Sequence, residues 1–444
     1  MRPATYKAIV DRLATAIRTG ELPAGTRLPT HRTLAREHRI ALATATRVYA
    51  ELTGMGLVAG EPGRGTFVRD QHGHDGLDPD RRLPVPRIAD LSFNQPLADE
   101  QTTQLRHALR ELSTSGNLDA VLYQQPPGGR SHERAIVATY LLDRGIDVPP
   151  ASVFLTNGAQ QALDAVLATT TRPGEVVAAD ALTYPGLKLL AATHSLEIAP
   201  IPSTADGPDL DALNQLCAAR PVRAIYTIPT LHNPLGWTLS HATRDHLATI
   251  ARTHDVLIIE DGTYAFLDQT PPPPIQAIAP ERTFYIASLS KNVATGLRFG
   301  FAIAPGAHAS SLTRSLRATT WGIPGIVTAL ATGWIADGTV GRLEKTRRDD
   351  AASRQQIART AFTGLDYTAH PSSFFGWLRL PHDLRADQAA THLADAGVLV
   401  STADAFATTT HPPHALRLAI ATPPLPELAD ILEHVRTTID SIPW

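Results

Sequence analysis

The chain has 444 residues, 43% of them apolar and 19% charged, so it is globular rather than disordered and long enough for two or three domains. Its formal charge of −3 is uneven: residues 1–70 hold 11 Lys and Arg against 6 Asp and Glu, and the remainder holds 29 against 37. No apolar run approaches the roughly 18 residues that cross a bilayer, and the single cysteine, Cys217, excludes an intrachain disulfide and suits a packing role in a reducing cytoplasm.

Taken in chain order, Ile9, Leu13 and Ile17 form an apolar stripe that predicts a first helix, ended by Gly20. Thr30 is a candidate N-cap for a short helix over 31–38, and a third helix is predicted over about 43–53. Leu57-Val58 and Thr66-Phe67-Val68 flank Pro62-Gly63-Arg64-Gly65 as a two-stranded wing. In a helix–turn–helix the second helix enters the major groove. Thr44, Thr46 and Arg47 are its candidate readers, Arg32, Arg36 and Arg64 candidate phosphate contacts, and Gly65 lets the wing backbone approach DNA. A basic end on an acidic body fits that use. A stretch rich in Asp, His, Gly and Pro follows and reads as a linker. The expected organisation is a DNA-binding domain over 1–70, a linker over 71–88, and a second domain over 89–444 with a smaller lobe from about 340.

From residue 151 the pattern alternates. Strands are predicted at 153–156, 176–180, 224–229, 256–261, 284–288 and 299–304, with helices such as 160–170 and 242–253 between them. That rhythm predicts a mostly parallel sheet covered by helices. Strands at 375–380, 398–401 and 416–421, with helices at 386–396 and 425–439, predict a smaller α+β lobe.

Only Lys7, Lys188, Lys291 and Lys345 could supply a reactive amine. Lys291 ends Ser288-Leu-Ser-Lys291 and precedes Gly296-Leu-Arg298, so hydroxyls and a guanidinium suited to phosphate surround it. An amine kept deprotonated by burial and nearby cations forms Schiff bases with aldehydes. Asp261 closes a strand, where ligands sit in open α/β sheets. A carboxylate there suits a pyridine nitrogen. Tyr264 and Asn233 suit a ring hydroxyl, and Tyr184 a ring face. Asn157-Gly158-Ala159 opens a helix whose amides suit a phosphate, and Arg417 suits a ligand carboxylate. Each residue also has an ordinary use alone: Lys291 at a surface, Asp261 as a strand-end cap, Asn233 in a turn, Tyr184 in a core, Arg417 in a surface ion pair. Their order and spacing together carry the argument.

Residues 5–69, through the stretch from Gly20 to Ala35, Arg47-Val-Tyr-Ala-Glu-Leu52 and Gly63-Arg-Gly-Thr-Phe-Val68, resemble the GntR winged-helix regulators. From about Tyr123 onward, Asn157-Gly-Ala-Gln, Asn233-Pro-Leu-Gly236, Glu260-Asp-Gly-Thr-Tyr264 and Ser288-Leu-Ser-Lys291 resemble the fold-type-I aminotransferases. The two together resemble the MocR subfamily. The resemblance implies pyridoxal 5′-phosphate as cofactor and no metal. Lys291 would be its Schiff-base lysine, with Asp261 on the pyridine nitrogen, Asn233 and Tyr264 on O3′ and Tyr184 on the ring face. Gly158, Ala159, Ser288, Ser290 and Arg298 would form the phosphate site and Arg417 the carboxylate anchor. Tyr123 resembles the tyrosine that reaches a phosphate in the partner subunit of a homodimer; its alternative is packing before a turn. The chain departs from the family at Ala41-Leu42, Leu235, Thr295 and residues 91–96. The expected function is a cytoplasmic regulator that binds operator DNA and responds to an amino acid or other amine. The alternative is a working aminotransferase with a DNA-binding appendage, since the transaminase-like site is largely intact.

Overall fold

The structure, a computed structural model, describes residues 6–22, 26–55, 57–61, 65–68, 88–95, 101–114, 116, 118–381, 384–410 and 412–442. Arg64 and all of the expected linker except Ile88 lie outside the described residues.

Helix α1 (Tyr6–Arg18), α2 (His31–His38) and α3 (Leu42–Gly54) precede the antiparallel strands β1 (Val58–Glu61) and β2 (Gly65–Val68), paired Val58 to Val68. The Thr30 hydroxyl accepts the Thr33 N–H and so caps α2, as its sequence position predicts. Ile9, Ile17, Leu34, Val48 and Leu52 are buried together. Burial of each such side chain contributes about 1.5–3 kcal/mol.

A seven-stranded sheet forms the larger body. Its strands are β4 (Val153–Thr156), β5 (Val176–Asp180), β6 (Glu197–Ile201), β7 (Val222–Thr227), β8 (Leu257–Asp261), β9 (Thr283–Ser288) and β10 (Gly300–Ile303), in the order β4-β10-β9-β8-β7-β5-β6. All neighbours are parallel except β10, which runs against both β4 and β9. Sequence reasoning missed β6. This strand lies at the sheet edge, contains Pro200 and exposes alternate residues, so it lacks the continuous apolar run of its buried neighbours.

The smaller sheet holds β11 (Asp366–Thr368), β12 (Phe375–Arg379), β14 (Ala415–Ala419) and β13 (Val398–Thr402), followed by β3 (Ala89–Leu91) at its edge. β3 pairs parallel to β13, so residues 89–91 belong to this lobe although they precede the larger sheet. Trp377, Arg417 and Ser401 stand opposite one another across β12, β14 and β13. Register partners share a face, so these three side chains do too.

Candidate cofactor site and DNA-binding face

The C-terminal ends of β8 and β9 bring Asp261 and Ser288 to one edge of the large sheet, and antiparallel β10 returns Gly300 beside both Ser288 and Thr156. A Cβ on Gly300 would stand 2.5 Å from the Gly158 carbonyl carbon, so only glycine lets β10 pass there. Gly158 has φ +82° and begins the helix Gly158–Thr170, which no side chain caps. Asn157 instead donates through Nδ2 to Gln161 and Thr320. The uncapped amides, with exposed Arg298 beside Gly158, form a seat for an anion. Ser288, the last residue of β9, and Ser290, in the turn that follows, are both buried.

Lys291 donates from Nζ to the Asn94 carbonyl at 2.9 Å and lies 4.0 Å over the Phe93 ring. Burial, then the charges of Arg417 and Arg298, push its pKa down to about 7. Asn94 also donates from Nδ2 to the Tyr264 hydroxyl at 3.5 Å and accepts the Ala421 N–H at 3.3 Å. One residue thus ties the lysine to the tyrosine and to the strand end beyond Arg417.

Asp261 is buried. It accepts the Tyr226 hydroxyl at 2.8 Å and the Thr263 N–H at 2.9 Å. Burial raises its pKa, and those hydrogen bonds oppose the rise. Burial and the nearby Asp261 charge push the Tyr184 hydroxyl up to about 12. Arg417 is buried against the small-lobe sheet, donating to the Ser92 carbonyl at 2.6 Å and to Ser401 at 3.4 Å, with its guanidinium 5.1 Å from the Phe406 ring.

The sequence-predicted Lys291, Asp261, Tyr264, Tyr184, Arg298 and Arg417 therefore converge: each lies within electrostatic range of others in the set. Tyr123 does not join them in this chain and is 69% exposed. Sequence reasoning missed Phe93, Asn94, Tyr226 and Ser401. Asn94 lay in the segment that departs from the family pattern. Tyr226 lay inside a predicted strand and carried no motif.

At the other end, Arg32, Arg36, Thr46 and Arg47 are exposed and Thr44 is half-buried. The Arg47 guanidinium lies 4.3 Å over the Tyr6 ring. Gly65, at φ +122°, leaves room for the Arg27 side chain. The DNA-binding end touches the small lobe through buried Arg385. This residue pairs with Asp11 of α1, with Glu51 of α3 at 3.6 Å and with Asp387 at 3.1 Å. Arg18 meets Asp404 at 3.5 Å.

A winged-helix segment followed by a two-lobed sheet fold with a half-buried lysine at its sheet edge defines a DNA-binding regulator built on an aminotransferase scaffold. Residues 86–435 match aminotransferase class I and II, and the chain belongs to that family. Residues 5–68 match the bacterial regulatory proteins of the gntR family. The chain is a GntR-type transcription regulator fused to an aminotransferase-like domain, the MocR-like architecture. It is 27% identical over 442 residues to an uncharacterized HTH-type transcriptional regulator, YdeF, of Bacillus subtilis, covering 98% of this chain and 95% of that protein. It is 27% identical to a 2-aminoadipate transaminase of Thermus thermophilus over 69% of this chain and 75% of that one. An archaeal alanine:glyoxylate aminotransferase shares the fold, with a TM-score of 0.74 at 24% identity over 81% of this chain and 92% of that chain.

The cofactor of this family is pyridoxal 5′-phosphate, and the residues fit it. Buried Ser290 Oγ, Asn233 Oδ1 and Arg417 Nε have no hydrogen-bond partner among the described residues. Unpaired buried polar atoms cost stability; the cofactor's phosphate and ring hydroxyl would satisfy Ser290 and Asn233, and the Arg417 donor is left for the carboxylate of a second ligand.

Proposed function

We propose that the chain is a pyridoxal-phosphate-dependent regulator that senses a carboxylate-bearing amine and answers by changing its hold on double-stranded DNA. One observation carries this reading. The Lys291 amine, held on the Asn94 carbonyl at 2.9 Å, is within reach of the charges of two guanidiniums, Arg298 suited to a phosphate and Arg417 suited to a carboxylate.

When bound, pyridoxal phosphate supplies an aldehyde that condenses with primary amines. The chain's own groups have separable tasks. Lys291 offers at Nζ an amine that loses its proton at about pH 7, far below an ordinary lysine. Gly158, Ala159, Ser288, Ser290 and Arg298 bind the phosphate, Asn233 and Tyr264 orient the ring hydroxyl, and Tyr184 covers a ring face. Asp261 holds a proton on the ring nitrogen, itself held by Tyr226. Arg417 takes the carboxylate of the amine through its forked donors. Arg417 and Arg385 belong to the same lobe, and Arg385 grips α1 and α3. A ligand that binds the two positions of that lobe unequally would shift DNA affinity.

Exposed Leu105, Leu109, Leu118, Leu122 and Tyr123 support a homodimer whose Tyr123 reaches the partner's phosphate site. No helix among the described residues is long and apolar enough to cross a membrane, and operator binding would take place in the cytoplasm.

The test is Lys291→Ala in the full chain. It should abolish the visible absorbance of the reconstituted protein and any amino-acid-dependent change in DNA affinity. An unchanged spectrum overturns the reading. The largely intact polar set also favours a second reading, a working aminotransferase. That enzyme would turn over an amino donor and keto acceptor repeatedly, whereas a sensor stops after one half-reaction.

A further inference from the structure

The proposed DNA-binding reading leaves open what α3 recognises, and we infer that it selects thymine-bearing sites through their C5-methyl groups, with Leu42 as the principal contact. This rests on α3 entering the major groove.

α3 buries Ala45, Val48, Tyr49 and Leu52 and so turns Leu42, Ala43, Thr46, Arg47 and Ala50 outward. Its outward polar groups are engaged with the protein, Thr46 through its hydroxyl and Arg47 through the face of its guanidinium. The Thr46 hydroxyl donates to the Leu42 carbonyl at 3.1 Å and lies 3.3 Å from His31 Nδ1. The Arg47 guanidinium is stacked on Tyr6. What the first turns of α3 present is therefore a leucine side chain, 49% exposed, with the methyls of Ala43 and Thr46 beside it.

Charge says what covers this patch. Exposed Arg32, Arg36 and Arg39 adjoin it in sequence, with Glu37 the one acidic residue between 31 and 47. That surround fits a polyanion whose groove offers an apolar edge. Among major-groove edges only thymine presents a methyl group. The arginines would hold the phosphates and set position, while Leu42 would distinguish thymine from cytosine.

The experiment uses the full-length protein reconstituted with cofactor. A random duplex pool is selected on it, and the selected duplex is then remade with deoxyuridine at single thymines. Enriched half-sites should contain thymines, and loss of each contacted methyl should weaken binding roughly fourfold. Leu42→Ala should lose a similar factor on the thymine duplex and little more on the uracil duplex. Its thermal midpoint should match the parent, because Leu42 is half exposed. Sequence-selective binding that is indifferent to deoxyuridine, or unaffected in Leu42→Ala, overturns methyl reading and leaves DNA binding standing. No sequence-selective binding even at low salt overturns both.

Discussion

The two ends of the molecule recognise their ligands by opposite means. On α2 and α3 the candidate groups stand on the surface, and the helices under them are held by a small apolar core. In the large domain Lys291, Asp261 and Arg417 are enclosed among fixed partners, where the Arg417 charge lowers the pKa of Lys291 and the Asp261 charge raises that of Tyr184. Surface groups act through long-range charge and are screened by salt. Enclosed groups act at short range and are costly to leave unpaired. Substitutions should accordingly have small, additive effects at the first end and large, coupled ones at the second.

Arg417→Ala offers the sharpest contrast. It should weaken binding of amino acids to the reconstituted protein by about 10- to 100-fold, the worth of a charge-assisted pair, and spare simple amines that lack a carboxylate. Spectral titration with both ligand types reads the difference. Equal weakening for both would remove the assignment of Arg417.

The lysine predicts the same rise of cofactor capture with pH as an ordinary surface amine, but with its midpoint moved down to about 7. Below about pH 7 Nζ is protonated, so cofactor capture by the apoprotein should fall about tenfold per pH unit, and above it capture should level off. The unfolded lysine titrates near 10.5. Between about 7 and 10.5 the unfolded chain holds the extra proton, so this group makes apoprotein stability rise with pH across that window. Capture that keeps climbing toward pH 10 would mean that Lys291 is not shifted.

Arg385→Ala tests the bridge between the ends. It should leave the cofactor spectrum and amino-acid affinity intact and reduce the effect of the amino acid on DNA affinity, measured by mobility shift. A normal response would place the coupling elsewhere. The smallest effect is expected from Tyr226→Phe. Removing one hydrogen bond to Asp261 should weaken cofactor retention only a few-fold, with a shift in the absorbance pH profile that a packing defect alone would not produce.

The same contrast governs how much could be read from the sequence. The winged-helix elements were legible because caps and periodicity are local: Thr30 caps α2 where its position predicts. Lys291, Asp261, Asn233 and Arg298 were legible because each stands at or after the end of a buried strand in a spaced motif. Asn94 and Tyr226 were not. Their roles arise from contacts 197 residues away to Lys291 and 35 residues away to Asp261, which no local pattern encodes. β3 escaped for a related reason: three residues pair with a strand some three hundred residues later. The contact of Arg385 with α1 is likewise tertiary, linking residues 374 apart.

The central claim is that one amine of the four lysines meets the cofactor. Borohydride reduction of the reconstituted protein, followed by peptide mapping, tests it directly. The account predicts the cofactor mass on the peptide carrying Lys291 alone, and its loss when an amino acid that binds is added first. Labelling at Lys7, Lys188 or Lys345 instead, or no labelling, would contradict it.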